Sequence, residues 1–408
     1  MLDYFKTQGT EQALGGLKVL DLGEYISAPL AAKMLGAFGS EVIKIERPIS
    51  GDPARRVGPF LNDDPHPERS ALFLCMNTNK KSITLDLATQ PGVEILKRLV
   101  ADADVLVENA RPGVLPDLGL NYKALEKINP RLVMASITDF GQTGPYRDYF
   151  GGRLVDNALC GYAYLNGDPD REPLAGGGEQ PAYQGGLHGY AGILAALLSR
   201  QATGEGQYLD IAILECMTSF HQFNINRYEY SGMVQKRVGN RYAYTHPTTI
   251  YPCKDGFVSI CPATEEQTER LLLLMEMGHL LEDSRFETGV HRLLNADEFD
   301  ALVQPWFLER GKKEIVETCQ EWRVPAAYVN DCSDLLTDPQ HKDREFWAEI
   351  DHPEAGRLPY AISPFRMSET PADAQRAPLL GEHNEEIFCG RLGMSNEDVA
   401  RLRSDGVI

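Results

Sequence analysis

The stretch LKVLDLGEYISAPLAAKMLGAFGSEVIKIERP (17–48) decides the fold. Lys18–Leu22 (KVLDL) is short and β-like. Pro29 opens an Ala- and Leu-rich run, PLAAKMLGAF, which Gly39 closes. Proline suits a first helical turn and glycine the position past the last. Glu41–Glu46 (EVIKIE) alternates apolar and charged residues and reads as a second strand. Strand, helix and strand within about thirty residues form a βαβ unit, whose strands pair in parallel.

The pattern repeats downstream. Ser82–Leu87 reads as a strand, Pro91 starts a helix with Val93, Leu96 and Val100 on one face, and Asp104–Glu108 (DVLVE) is the next strand. A turn at Arg111-Pro112-Gly113, a broken helix over Leu115–Ile128 and a strand over Leu132–Thr138 follow. The first 140 residues therefore predict an open, doubly wound α/β sheet. Residues 166–186, with Gly176-Gly177-Gly178 and Gly185-Gly186, read as a loop. A helix from Gly189 to Arg200, a turn at Thr203–Gly206 and a strand over Gln207–Ile211 come next. Pro247–Pro262 reads as a hairpin turning at Lys254-Asp255-Gly256, and helical segments run on to 322. The proline-rich tail from Asp334 reads as an extended return. The expected organisation is α/β: a Rossmann-like large domain from 1–225 and 335–408, and a smaller α+β domain over 235–330.

Charge and composition narrow the function. A net charge of -19 repels a polyanion, so nucleic acid is excluded as a partner. The acidic residues form no tail and suit a solvated cytoplasmic enzyme. The eight cysteines are scattered, with no C-x-x-C pair and no His at zinc-finger spacing, so they read as reduced thiols, mostly buried. No metal is expected. Met1–Lys6 carries no apolar core of a signal peptide, and no apolar run is long enough to span a bilayer. Gly204-x-Gly206 lacks the third glycine of a dinucleotide fingerprint and precedes a strand. There is no phosphate loop, no H-E-x-x-H and no G-x-S-x-G.

Five segments carry a family resemblance: 17–55; NTNKKSITLDL (77–87); ADVLVENARPGVLPDLGLNYKALEKINPRLVMASITDFGQTGPY (103–146); GILAALLSRQATGEGQYLDIAILE (192–215); and DHPEAGRLPYAISPFRMSETP (351–371) with APLLGEH (377–383). In order and together they resemble the class III CoA-transferases, which include formyl-CoA and carnitine CoA-transferases and the 2-methylacyl-CoA racemases. The resemblance implies a Rossmann-like large domain built from both ends of the chain, a small domain between, and two chains interlocked as a dimer. It implies coenzyme A or acyl-CoA as a substrate, with no covalently bound cofactor, and an organic acid as the other substrate. It places CoA against Ile26, Ser27, Arg47, Leu85, Asn109, Ala110, Arg111 and Val114. These positions lie at carboxyl ends of the expected strands, where ligands bind in such sheets. Taken alone, Arg47 is a loop arginine and Asn109 a turn-capping amide; a guanidinium can also stack on adenine or pair with phosphate.

One departure matters. In relatives an Asp before the GILAAL helix attacks the acyl-CoA carbonyl and expels CoA thiolate; the thiolate then attacks the resulting anhydride, releasing the donor acid and leaving an aspartyl-CoA thioester that the acceptor acid opens. Counted back without gaps from Gly192-Ile193-Leu194, that position is Ala182. The racemase G-H-D position reads Gly151-Gly152-Arg153, so together with Ala182 both racemase partners are missing. Three readings follow. The chain is the non-catalytic subunit of a heteromer such as succinyl-CoA:benzylsuccinate CoA-transferase, with a homologous catalytic partner. Or Glu179, or Asp156, is a displaced nucleophile in a homodimer. Or the chain binds CoA esters for other chemistry. Tyr183 and Gln184 are expected to fill the space of the missing carboxylate. The expected reaction moves CoA from a donor such as succinyl-CoA to an acid such as benzylsuccinate.

Overall fold

The computed structural model describes residues 12–408; Met1–Lys6, read above for a leader, lies outside them. The chain divides into two units. One holds the chain up to Tyr162 with Gly176–Phe223 and Gln340–Ile408; the other holds Ala163–Ala175 and Asn224–Pro339.

The first unit is built on a six-stranded sheet: β1 Lys18–Asp21, β2 Glu41–Glu46, β3 Lys80–Thr84, β4 Val105–Glu108, β5 Val133–Thr138 and β6 Tyr208–Ala212. Its order is β3-β2-β1-β4-β5-β6, and every neighbouring pair is parallel. Chain order therefore reverses between β1 and β4, which opens a crevice at the carboxyl ends there. Every residue of β4 and β5 is buried, as expected of strands covered on both faces. Residues alternate between two cores. Leu20, Ile43 and Leu106 face one, with Leu96, Leu99 and Phe388; Val19, Val42 and Val107 face the other, with Leu35 and Ile193. The covering helices include α1 Ser27–Ala37, α2 Gln90–Val100, α3 Arg153–Leu159 and α4 Gln180–Thr203.

The first βαβ unit, and the strands read at 104–108, 132–138 and 207–211, are present within a residue or two. Other readings need correction. Helix α4 begins at Gln180, so residues 180–186 are not loop. Their glycines serve contact rather than turning. A Cβ on Gly186 would stand 2.7 Å from the Ser27 carbonyl oxygen of α1, and one on Gly189 would stand 2.5 Å from Ile137. Strand β3 starts at Lys80 and stops at Thr84 instead of spanning 82–87. Lys80 looks like a surface residue in sequence, yet it is buried. Its ammonium donates to Asp21 Oδ2 (2.8 Å), the Pro29 carbonyl (2.8 Å) and Asn77 Oδ1 (2.9 Å). The broken helix at 115–128 is two short helices, Val114–Asp117 and Tyr122–Leu125.

The second unit carries an antiparallel sheet of β7 Thr249–Cys253, β8 Gly256–Ile260 and β9 Ala326–Tyr328. Helices α5 Glu265–Leu274, α6 Ala296–Leu308 and α7 Lys312–Glu321 pack on it through Leu271, Phe299, Phe307 and Ile315. Residues 163–175 cluster with this unit rather than the first. The Gly239 N–H donates to the Gly167 carbonyl (3.1 Å), and Arg237 donates to the Asp168 and Tyr164 carbonyls (both 3.1 Å).

The tail is not an extended strap. It holds an antiparallel hairpin, β10 Trp347–His352 with β11 Gly356–Ala361, and ends in helix α8, Asn396–Ser404. The Ser395 hydroxyl and the Asp398 carboxylate cap that helix reciprocally, and Val399 and Leu402 bury against the first core. All eight cysteines are free, with Cys160, Cys216, Cys253 and Cys319 buried. Among the described residues no helix is long and apolar enough to cross a membrane, and no group of three or more His, Cys, Asp or Glu residues is placed to hold a metal ion.

Candidate active site

A cavity of about 760 Å³ opens where the loops after β1, β2, β3 and β4 leave the sheet. Arg47, Leu85, Asn109, Ala110, Arg111 and Val114 all line it. Ile26 and Ser27 do not. Both are buried at the start of α1, and Ser27 meets the cavity wall indirectly, its hydroxyl accepting from Asn109 Nδ2 at 3.1 Å.

Buried charge fixes the loops. The Glu46 carboxylate, 3 % exposed, takes Arg55 in a two-pronged pair (2.6 and 2.8 Å), the Ser82 hydroxyl (2.6 Å) and the Asp52 N–H (3.0 Å). This holds residues 47–56, the loop that carries Arg47. Lys44 is wholly buried. Its ammonium sits 2.8 Å from Asp52 and donates to the Gly23 carbonyl at 2.7 Å, so it joins that loop to the one after β1. Asp21 and Asp52 beside it hold Lys44 charged despite its burial, and Lys44 in turn keeps the Asp52 carboxyl below its usual range. Lys80, buried beside the same Asp21, falls to about 8 because desolvation outweighs the pairing. Such networks stabilise little as pairs but are costly to break from one side.

Sequence reasoning missed the acids of the wall. Glu24, Asp52, Asp86, Glu108 and Asp117 line the cavity together with the two arginines. Glu108 ends β4. Burial lifts its carboxyl to about 7 against hydrogen bonds from Ser136 and the Ala110 N–H. A carboxylate at the end of a parallel strand was the available signal. What the sequence lacks is any sign that the residue would be enclosed. The two cations are also engaged. Arg47 Nη2 lies 2.6 Å from Glu24 Oε1, and the Arg111 guanidinium lies 3.9 Å from the centre of the Phe150 ring.

Ala182 occupies the first turn of α4. It packs against a cluster of Ile26, Leu30, Met34, Phe38 and Met76, with Cys75, Tyr183 and Tyr190 also against it. A methyl group among apolar neighbours can neither attack a carbonyl nor take a proton. Glu179 precedes the helix with its side chain half exposed, 3.7 Å from Arg153 Nε. Asp156 on α3 is 1 % exposed with one carboxylate oxygen unpartnered, and burial together with the nearby Asp139 lifts it to about 7.

Residues 14–384 match the CoA-transferase family III. The β subunit of succinyl-CoA–L-malate CoA-transferase from Chloroflexus aurantiacus is 37 % identical over 98 % of this chain and 99 % of its own length. The succinyl-CoA–D-citramalate CoA-transferase of the same organism is 34 % identical over 98 % of this chain and all of its own. Among solved structures, a CAIB/BAIF family protein from Brucella suis superposes with a TM-score of 0.85 at 34 % identity, over 93 % of this chain and 100 % of that one. The α/β sheet, its cavity at the strand ends and these full-length matches agree: the chain belongs to the class III CoA-transferases, enzymes that pass coenzyme A between an acyl-CoA and an organic acid.

Proposed function

We propose that this chain is one subunit of a CoA-transferase that moves CoA from succinyl-CoA to a small dicarboxylic acid, with a homologous chain supplying the carboxylate nucleophile. The observation that carries the reading is Ala182, an inert side chain packed among apolar residues at the position that the ungapped count assigns to the nucleophile. The similarity to a protein named as a β subunit supports a partner. The acids in the relatives' names, malate and citramalate, favour a compact dicarboxylic acceptor over benzylsuccinate.

In this reading CoA lies in the cavity at the strand ends, with its phosphates toward Arg47 and Arg111 and its adenine side toward Leu85 and Val114. Ile26 and Ser27 support the wall from behind. The two chains interlock. Tyr149, Phe150, Leu154, Val155 and Leu159 stay exposed as a run of large apolar residues, a surface suited to cover by another chain. The expected location is the cytoplasm.

The test is expression of the chain alone and together with a homologous chain that retains the Asp, each given succinyl-CoA and the acid. The expected result is turnover and a hydroxylamine-sensitive adduct only in the pair, on the partner. An adduct on Glu179 or Asp156 of the lone chain overturns the subunit reading and establishes the displaced nucleophile.

A further inference from the structure

We propose that Glu24 is a selectivity filter: it holds Arg47 in an ion pair across the cavity, so that a phosphate ligand can displace it while a simple organic acid cannot. The proposal rests on the reading of the cavity as the CoA site.

The geometry is fixed from the backbone outward. Asn109, at the end of β4, holds Glu24 by both its amide groups, accepting from the N–H and donating to the carbonyl, each at 2.8 Å. The next residue, Tyr25, has a positive φ of 61°, and its N–H donates to Asp52 Oδ1 at 3.2 Å. Glu24 therefore leaves a tethered loop after β1 and reaches across to Arg47 in the loop after β2. Both residues line the cavity, and their ion pair bridges two of its walls. Arg111 stacks on Phe150 and has no carboxylate partner among the described residues, so Glu24 neutralises one of the two arginines in this wall.

The consequence is a competition. A carboxylate from solution that replaces Glu24 on Arg47 exchanges like for like, and it must also order itself beside Asp86 and Asp117. The exchange gains nothing. A phosphate presents more charge and more acceptor oxygens to the guanidinium and makes stronger charge-assisted bonds. An enzyme whose second substrate is a free organic acid needs this distinction, because that acid would otherwise compete in the coenzyme's own cavity.

The experiment is calorimetric titration of the full-length protein with CoA and with pantetheine, with and without excess succinate, for wild type, Glu24→Gln, Arg47→Gln and the double variant. Expected in Glu24→Gln is CoA affinity about three- to fivefold tighter, the size a half-exposed ion pair carries. Succinate should then weaken CoA binding in Glu24→Gln and leave the wild type unaffected. Arg47→Gln should weaken CoA, and adding Glu24→Gln to it should restore nothing. Pantetheine, without phosphates, should bind all four alike. If wild type binds CoA but Glu24→Gln neither tightens it nor admits succinate, the filter is refuted and the CoA site stands. If no variant binds CoA, the reading of the cavity falls, and the filter with it.

Discussion

Asn109 holds Glu24 by both ends of its amide framework, Oδ1 on the N–H and Nδ2 on the carbonyl, each at 2.8 Å. One side chain thereby joins the loop after β1 to the loop after β4, across the point where the strand order reverses. Asn109→Ala should cost about 1–3 kcal/mol, since it leaves partly buried backbone groups unpaired. Urea denaturation checks the stability. CoA titration should show a parallel loss, because the wall that carries Glu24 is no longer held.

The pair between Arg55 and Glu46 sets the loop that carries Arg47. Arg55 is wholly buried and also reaches Glu68 at 2.6 Å. Arg55→Met leaves the Glu46 carboxylate buried without its two-pronged partner, keeping hydrogen bonds from Ser82 and the Asp52 N–H. The expected loss is roughly 3–5 kcal/mol. Adding Glu46→Gln should return part of it, by removing the stranded charge. A double variant no more stable than Arg55→Met would mean that lost packing, not charge, dominates.

Two glycines of α4 should respond in opposite ways. A Cβ at Gly186 meets the Ser27 carbonyl oxygen at 2.7 Å, whereas one at Gly192 finds its nearest neighbour at 3.7 Å, a Leu209 methyl. Gly186→Ala should destabilise by about 1–3 kcal/mol through overpacking against α1. Gly192→Ala should stabilise by about 0.5–1 kcal/mol, because alanine suits a helix interior better. Thermal melts of the two variants against wild type check the sign of each.

Glu108 predicts a pH dependence. Burial lifts its carboxyl from 4.5 to about 7, so between those values the folded chain holds a proton that the unfolded chain releases. Stability must then fall as pH rises through this window, and the full loss is present above it. Glu108→Gln mimics the protonated form. It should match wild type below the window and exceed it above by roughly 2–4 kcal/mol. Urea titrations of both proteins at either end of the window test this. Asp156 titrates in the same range in both, so the difference between them isolates Glu108.

The first βαβ unit was legible because each piece carried its own signal: alternation in EVIKIE, proline and glycine around an apolar run. Where reading failed, a residue's role depended on what it met in space. Gly185 and Gly186 look like turn residues, and only the approach of α1, Ile213 and Ile137 makes them contact residues. Lys80 looks solvated, and only the acceptors it meets in space, Asp21, the Pro29 carbonyl and Asn77, account for its burial. The site divides the same way. Arg47, Asn109 and Arg111 came from what the family resemblance implies, with strand ends as physical support, but Glu24 and Glu108 gain meaning from enclosure, which no local pattern announces. The assignment of Ala182 to the missing nucleophile's position came from the family resemblance and an ungapped count, which need no geometry.

That absence gives the sharpest prediction. Ala182→Asp places a carboxylate in the first turn of α4, beside Tyr183 and the apolar cluster of Met34 and Phe38. A stability loss of about 1–3 kcal/mol is expected from the partly buried polar group. Given succinyl-CoA, the new carboxylate should attack the thioester carbonyl, forming a C–O bond as the C–S bond breaks and CoA leaves as the thiolate. Hydroxylamine should then convert the aspartyl anhydride to a hydroxamate, mapped by peptide mass spectrometry to position 182. Wild type should show none. A folded Ala182→Asp protein that stays unmodified would mean that position 182 does not face the thioester, and the count that assigned it would be wrong.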